Sequence, residues 1–367
     1  MKHPSKYLDW YIHVPEVRYD FRSSGIANFR LKLDLGEVDL STNYAHGNPK
    51  TTEKLADWFK VKPDNIFISS EGASGQNARI IRYIAERNPE KTEAIVEYPT
   101  YEPLLRQVQE HFRHVKRLER HKKDAYALDA EQLRKVASEK TCLLAITNPH
   151  APSGAISARG ELIEIMNVAG EHGFCVLCDE VYAEFDRNAV PTLFSISPRL
   201  SIVTTSFTKA YGLGGLKLGV ALCERHVVDD LYKDVLNTVG NSPNIVQVIA
   251  AELFGSSRDC LERHKQKWSS LKRDAEDWLS QKGLEYFPSK VGVTYWVSLP
   301  VKDTYRWVNE CTIPRYKMAL VPGAFFLFKD GYELQTSNMV RLGLGNLDPE
   351  EASLTEALQV LGKAISE

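Results

Sequence analysis

The fold is decided by the stretch LSIVTTSFTKAYGLGGLKLGVALC, residues 200–223. Two short apolar runs, LSIVTTSF and KLGVALC, enclose a turn that begins at Lys209 and continues through Gly212, Gly214 and Gly215. Apolar runs of this length with many β-branched residues predict buried strands. The stretch therefore predicts a strand that ends just before a lysine, a glycine-rich turn and a second strand.

The same pattern of short apolar runs continues toward the N-terminus. Four further apolar runs occur at NIFISS, EAIVEYP, TCLLAITNP and FCVLCDE, and amphipathic helical segments lie between them. This alternation predicts βαβ units and an α/β fold, with a doubly wound, mostly parallel sheet in a large domain. Ligands of such sheets bind outside the carboxyl ends of the strands.

Beyond Pro243 the pattern changes to a charged helical stretch, LERHKQKWSSLKRDAEDWLSQKG. Strand-like pieces VGVTYWVSL, MALVPG and NMVRLGLG follow, and an amphipathic helix is predicted over 350–365. These elements predict a smaller α+β domain. We expect an N-terminal segment at 1–40 that packs with the small domain, a large cofactor-binding domain at 41–250 and the small C-terminal domain at 251–367.

Charge and hydropathy argue against two classes of partner. The 367 residues include 46 Lys plus Arg and 48 Asp plus Glu, a formal charge of -2. Without an excess of positive charge, neither nucleic acid nor a membrane surface is an expected partner. No run resembles a signal peptide or a membrane span, so we expect the cytoplasm.

Six cysteines are scattered along the chain, which is not the dense pattern of a disulfide-rich secreted domain. Cys175 and Cys178 form a CxxC, but they lie in the apolar run GFCVLCDE. Residues three apart on a strand point to opposite faces. We therefore expect reduced thiols and no metal site.

Four polar motifs follow the predicted strands. Lys209 lies in the glycine-rich turn, and Asp179 ends FCVLCDE, where a buried carboxylate needs a cation or a donor. The turn NPHAPSG closes another strand, and SSEGASGQN opens a helix whose free N–H groups suit a phosphate. Each motif alone also fits a structural role: a surface lysine, a helix N-cap, a common turn or an ordinary cap.

Taken together and in this order, the motifs resemble the class I/II aminotransferases of the fold type I pyridoxal-phosphate superfamily. SFTKAYGLGGLKLG is similar to the family's SxSKxxGLxGxRxG, NPHAPSG to NPxNPTG, and CDEVYAEF to DExYxxF. The resemblance covers nearly the whole chain from about Asp34. It implies a pyridoxal 5′-phosphate enzyme that moves an amino group between an L-amino acid and a 2-oxo acid.

The resemblance implies a catalytic role for three residues. Lys209 would form the Schiff base with the cofactor and shuttle a proton, which requires a partly desolvated amine. Asp179 would pair with the protonated pyridine nitrogen, and Tyr182 would donate to the phenolic oxygen.

The same likeness assigns the remaining binding residues. Arg341 would grip the substrate carboxylate through its guanidinium fork, and Tyr44 would reach the cofactor phosphate of a neighbouring subunit in a homodimer with shared active sites. The other predicted cofactor-binding residues are Ala73, Ser74, Ser206 and Lys217 at the phosphate, Tyr101 on the ring face, and Asn148 of the NP motif.

Two positions depart from the family pattern. Ala151 replaces the second asparagine of NPxNPTG, so we expect a less acidic Schiff base. Lys217 replaces the phosphate-binding arginine and offers a point charge where the family has a bidentate fork.

The sequence indicates less about the substrate than about the cofactor. No second arginine for a dicarboxylate stands out, and the N-terminal aromatics fit core packing better than an entrance; these are Tyr7, Trp10, Tyr11, Tyr19, Phe21 and Phe29. The run YLDWY with YDFRSSGI also resembles a subgroup that includes capreomycidine synthase. Alternatives are therefore another pyridoxal-phosphate reaction, such as a β-lyase, decarboxylase or cyclase, or a non-catalytic binding protein on this fold.

Overall fold

The computed structural model describes residues 4–26, 35–41, 44–254, 258–266, 268–329, 331–347 and 353–367. Phe29 and the predicted start of the last helix at Glu350 lie outside these ranges. Within the described residues, seven strands form a large sheet: β2 (Ile66–Ser69), β3 (Glu93–Tyr98), β4 (His114–Glu119), β5 (Thr141–Thr147), β6 (Cys175–Asp179), β7 (Ser201–Ser206) and β8 (Gly219–Leu222).

Five strands form a smaller sheet, again counted over the described ranges: β1 (Tyr19–Phe21), β9 (Glu285–Phe287), β10 (Thr294–Ser298), β11 (Met318–Pro322) and β12 (Met339–Gly343). The helices are α1 (Lys6–His13), α2 (Pro49–Phe59), α3 (Gly72–Arg87), α4 (Glu102–His111), α5 (Ala130–Val136), α6 (Arg159–His172), α7 (Thr208–Tyr211), α8 (Arg225–Thr238), α9 (Asn244–Leu253), α10 (Arg258–Gln266), α11 (Trp268–Gln281), α12 (Thr304–Trp307), α13 (Ile313–Tyr316) and α14 (Ser353–Ser366). Throughout the described ranges, each helix is either too short or too polar to span a bilayer.

The large sheet has the predicted α/β architecture. Its order is β2-β8-β7-β6-β5-β3-β4, and β8 runs opposite to the other six described strands of this sheet. Alternate residues of β5 point to opposite faces, so Leu144 and Ile146 pack with α6 while Leu143 and Ala145 pack with α3 and α4. Helices therefore cover both faces, and the sheet is doubly wound.

All six predicted strands of the large sheet are present, but β4 was not predicted. This strand, HVKRLE, pairs only with β3 at the edge of the sheet, and most of its residues are partly exposed. Edge strands tolerate polar side chains because one side faces solvent. The apolar pattern that marks buried strands is therefore absent. The three-residue strands β1 and β9 were missed because they are too short to show a period.

The CxxC behaves as expected from strand geometry. Cys178 belongs to the core on one face of the large sheet, whereas Cys175 packs against the core on the other face. Burial raises the pKa of the Cys175 thiol to about 12. Two thiols that point to opposite faces of one strand cannot meet in a disulfide or at one metal ion.

The N-terminal segment contacts both sheets. Strand β1 pairs in parallel with β11 of the small sheet, and helix α1 begins against Glu102 of α4, beside the large sheet. Among the N-terminal aromatics, Tyr19 and Phe21 lie in the core of the small sheet. The predicted boundaries at 40 and 250 remain a prediction.

Three glycines let the segment 22–26 pass between the Lys209 turn and β12. A Cβ on Gly25 would lie 2.7 Å from the Lys209 Cα, and a Cβ on Gly343 would lie 2.0 Å from the Ser23 carbonyl oxygen. A Cβ on Gly345 would approach the Gly25 carbonyl oxygen to 1.8 Å. Any larger residue would push the segment away from Lys209.

Gly345→Ala should therefore destabilise the protein by about 1–3 kcal/mol, the usual cost of overpacking. Gly160→Ala is the matched control, because a Cβ at that helical position would have no described neighbour within 4 Å apart from adjacent residues and the backbone of its own helix. The control should leave stability unchanged or slightly raised. Urea unfolding measures both. Equal stability of the two variants would contradict the close passage.

Candidate active site

The site lies where three parallel strands end together. Thr147, Asp179 and Ser206 are the last residues of β5, β6 and β7, and Thr147 pairs with Asp179 in register. A cavity of about 390 Å³ opens at this edge. It is lined by eight of the predicted residues, namely Ala73, Ser74, Tyr101, Asp179, Tyr182, Ser206, Lys209 and Lys217.

Lys209 lies in α7, directly after β7, and is half-buried in the cavity wall. Its pKa is lowered to about 8, first by burial and then by the positive charges of Arg341 and Lys217, while Asp179 opposes the shift. Much more of the amine is therefore neutral near pH 7 than in an ordinary lysine, although the protonated form still predominates. The neutral form is the state that a nucleophilic lysine requires, and the residue is not a lysine of a flexible surface loop.

Asp179 is 6% exposed and is held by two donors. The Asn77 Nδ2 donates to one carboxylate oxygen at 2.8 Å, and the Val181 N–H donates to the other at 3.0 Å. Burial raises the pKa of this carboxyl, and the hydrogen bonds and Lys209 counter the rise. The second bond is the cap-like contact considered from the sequence, but the carboxylate also faces the cavity.

Asn77 was not assigned a role from the sequence. Its side-chain oxygen accepts a hydrogen bond from the Thr204 hydroxyl at 2.5 Å, which orients its amide nitrogen toward Asp179. The residue sits inside the quoted motif SSEGASGQN, yet its partner is 102 residues away. Only the packing of α3 over the strand ends brings the two together.

The first turn of α3 forms a cradle for an anion. Gly72 adopts φ +67° and donates its N–H to the Lys217 carbonyl at 2.6 Å, which closes the turn. The N–H groups of Ala73 and Ser74 find no acceptor in the described part of the chain. Free amides at a helix N-terminus, beside a lysine and the Ser206 hydroxyl, favour a phosphate.

The two predicted tyrosines line the cavity as neutral phenols. Burial raises the pKa of Tyr182, and Arg341 and Ser24 oppose the rise. Burial likewise raises the pKa of Tyr101, which caps the start of α4. Both hydroxyls therefore keep their protons near neutral pH and can donate hydrogen bonds.

Three predicted residues lie outside the cavity lining. Asn148 is fully buried, and its side chain donates to the Pro191 carbonyl and accepts from the Ser157 N–H. Tyr44 is half-buried near α2 and does not reach the cavity of its own chain. Arg341 is 3% exposed and lies behind Tyr7, which does line the cavity.

Both departures from the family pattern face the cavity. Ala151 presents a methyl group there, and its N–H donates to the Thr147 hydroxyl at 2.8 Å. The Thr147 hydroxyl in turn donates to the buried Glu97 carboxylate, which forms an ion pair with Arg120 at 2.8 Å. The turn is therefore rigidly held even though no side-chain donor stands at 151, and the expected lower acidity remains a prediction.

The cavity fits pyridoxal 5′-phosphate group by group. Within the described residues, it offers an amine with a lowered pKa for an aldehyde, a buried carboxylate without an ion-pair partner for a pyridinium, and free amides for a phosphate. The fold and these groups define the class of α/β enzymes that use this cofactor.

The family model for aminotransferase class I and II matches residues 30–360. The chain belongs to this family and is a pyridoxal-phosphate-dependent aminotransferase. Histidinol-phosphate aminotransferase 2 of Pasteurella multocida is 27% identical over 345 residues, 92% of this chain and 87% of that relative. An aspartate aminotransferase of Pyrococcus abyssi is 24% identical over 216 residues, 56% of this chain and 55% of that relative.

Solved structures agree on the fold. A pyridoxal-phosphate-dependent aminotransferase from Streptococcus suis superposes with a TM-score of 0.82 at 22% identity, covering 100% of this chain and 98% of that one. A Thermus thermophilus aspartate aminotransferase variant gives 0.80 at 18% identity, covering 99% and 100%.

The lowered pKa of Lys209 predicts how the apoprotein takes up the cofactor. Because only the neutral amine attacks an aldehyde, the rate of loading should rise with pH up to about 8 and then level off. Stopped-flow absorbance measures this rate. Asp179→Asn removes the charge that raises the Lys209 pKa, so its profile should shift to lower pH. A rate that keeps rising through pH 10 would show an ordinary lysine.

Proposed function

We propose that Lys209 is the residue that binds the cofactor covalently and moves the proton during amino transfer from an L-amino acid to a 2-oxo acid. One observation carries this proposal: a partly desolvated amine with a pKa of about 8 shares a cavity with the buried carboxylate of Asp179. Both groups are expensive to bury unless they have a function there.

Pyridoxal 5′-phosphate, when bound, supplies an electron sink for the bond that breaks at the substrate Cα. Asp179 would hold a proton on the pyridine nitrogen of the cofactor, with Asn77 keeping the carboxylate oriented. Lys209 would carry the proton that leaves the substrate Cα. Tyr182 would donate a hydrogen bond to the phenolic oxygen, and Tyr101 would cover the ring face.

We propose that the substrate carries a single carboxylate. Arg22 lines the cavity, but Asp20 pairs it at 2.8 Å through both Nε and Nη2. Among the described residues, the other cations in or beside the cavity are Lys209, Lys217 and Arg341, which are assigned to the cofactor and the substrate α-carboxylate. A second carboxylate would therefore be buried without a counter-charge from this part of the chain, which is costly.

We further propose a homodimer with shared active sites in the cytoplasm. Tyr44 does not line the cavity of its own chain, which supports its predicted reach toward a neighbouring subunit. Five cysteines in the described ranges are free, which supports a reducing compartment. Sedimentation of the loaded enzyme measures the oligomeric state.

A half-reaction tests the catalytic proposal. Mixing the loaded enzyme with L-phenylalanine should shift the cofactor absorbance and release one equivalent of 2-oxo acid, and added 2-oxo acid should restore the starting spectrum. L-aspartate should react about 10-fold or more slowly, because its second carboxylate meets no free cation among the residues that the structure describes. Lys209→Ala should slow the half-reaction by on the order of 10²–10⁴-fold.

Lys233→Ala is the matched control, because Lys233 is an exposed lysine paired with Asp230. It should react like the unmodified enzyme. With L-serine, whose hydroxyl can leave from Cβ, release of ammonia and a 2-oxo acid without a lasting change of the cofactor spectrum would instead identify a lyase.

A further inference from the structure

The guanidinium of Arg341 already makes hydrogen bonds within the protein. Its Nη2 donates to the Tyr7 hydroxyl oxygen at 3.0 Å and to the Arg22 carbonyl oxygen at 2.8 Å, which uses both Nη2 hydrogens. Its Nε is buried without a partner. A guanidinium can bind a carboxylate through two parallel hydrogen bonds in two ways, end-on through both Nη atoms or side-on through Nε and Nη2. Both ways need Nη2. A carboxylate therefore cannot be gripped by a complete fork unless one of these bonds breaks.

Tyr7 offers the missing donor. Its oxygen accepts from Arg341, and no acceptor for its own proton occurs among the described residues. The ring is 5% exposed, lines the cavity and meets the edge of the Tyr101 ring at a centroid distance of 6.0 Å. The phenol thus lies between the ring that covers the cofactor and the arginine that attracts the substrate.

We propose that the Tyr7 hydroxyl is a second ligand of the substrate α-carboxylate, acting with Arg341, and that Glu102 is the residue that positions it. This inference rests on the proposed function, because it assigns the carboxylate to the Arg341 side of the cavity. Arg341 polarises the phenol by donating to its oxygen, which strengthens the O–H as a donor to an anion.

Glu102 fixes the first turn of α1, and with it Tyr7. This fully buried carboxylate accepts from the Ser5 hydroxyl at 2.9 Å, from the Lys6 N–H at 3.2 Å and from the Tyr7 N–H at 2.7 Å. Arg106 balances its charge at 2.9 Å. A carboxylate at a helix N-terminus also interacts favourably with the helix dipole.

Glu102 directly follows Tyr101 in the chain and begins α4. The same short segment therefore places the ring over the cofactor and anchors the helix that carries Tyr7. This shared segment fixes the position of the substrate carboxylate relative to the cofactor. It thereby orients the Cα bond that breaks.

Binding of a probe that cannot react tests the inference separately from the proposed function. Calorimetry of the loaded enzyme with 3-phenylpropanoate and with 3-phenylpropanamide compares a carboxylate with a neutral amide of the same shape. Tyr7→Phe should weaken binding of the acid by about 10- to 100-fold, as expected for a lost hydrogen bond to a charged group. Binding of the amide should change less than about 2-fold.

Tyr11→Phe is the matched control, because Tyr11 is a second phenol in the cavity lining with no hydrogen bond to Arg341. This variant should weaken binding of the acid and binding of the amide to the same small extent. Glu102→Gln should reproduce the acid-specific loss of Tyr7→Phe, and the double variant should lose no more than either single variant. If Glu102→Gln does not fold, Ser5→Ala removes one donor to Glu102 and should give a smaller acid-specific loss.

Equal losses for acid and amide in Tyr7→Phe, or additive losses in the double variant, would overturn the inference. So would an unmodified enzyme that binds the acid no better than the amide. Failure of the proposed function has a different signature, namely an unmodified enzyme whose cofactor spectrum does not respond to any amino acid.

Discussion

The rest of the structure depends on the burial of two opposite charges at one edge of the large sheet. Asp179 ends β6, and Lys209 follows the neighbouring parallel strand β7. The register of β6 and β7 therefore sets the separation of the two side chains. Burial pushes the amine and the carboxyl toward their neutral forms, and each partly restores the charge of the other. The pair is therefore balanced without a direct ion pair, and both groups stay available for a ligand.

The surrounding chain serves to keep that edge dry and fixed. Asn77 and the first turn of α3 come from one helix, so the donor to Asp179 and the free amides of Ala73 and Ser74 move together. On the opposite side, the segment 22–26 passes the Lys209 turn through gaps that only glycine permits, and the Ile26 N–H donates to the Lys209 carbonyl at 2.8 Å. A rigid scaffold of this kind orients reacting groups before substrate arrives.

The sequence predicted what depends on local pattern. Six strands could be predicted because they are buried on both faces, which produces continuous apolar runs. Lys209 and Asp179 could be predicted because they follow or end such runs. Strand β4 could not, because it is partly exposed and carries polar residues, and β1 and β9 were too short.

The residues that sequence reasoning missed act through distant contacts. Tyr7 meets Glu102 across 95 positions and Arg341 across 334, and no periodicity encodes either pair. The N-terminal aromatics were expected to favour core packing, and Tyr19 and Phe21 do so. Tyr7 also belongs to a buried cluster that includes Phe325 and Phe326, and Tyr11 packs against that cluster. Both tyrosines in addition line the cavity.

Reduction of the loaded enzyme with borohydride, followed by peptide mass spectrometry, shows which lysine holds the cofactor. Borohydride makes the bond between the cofactor and its lysine permanent, so the modified residue can be read from the peptide masses. We expect a single pyridoxyl group on Lys209. A label on Lys217 or on scattered surface lysines, or no label at all, would rule out Lys209 as the residue that binds the cofactor.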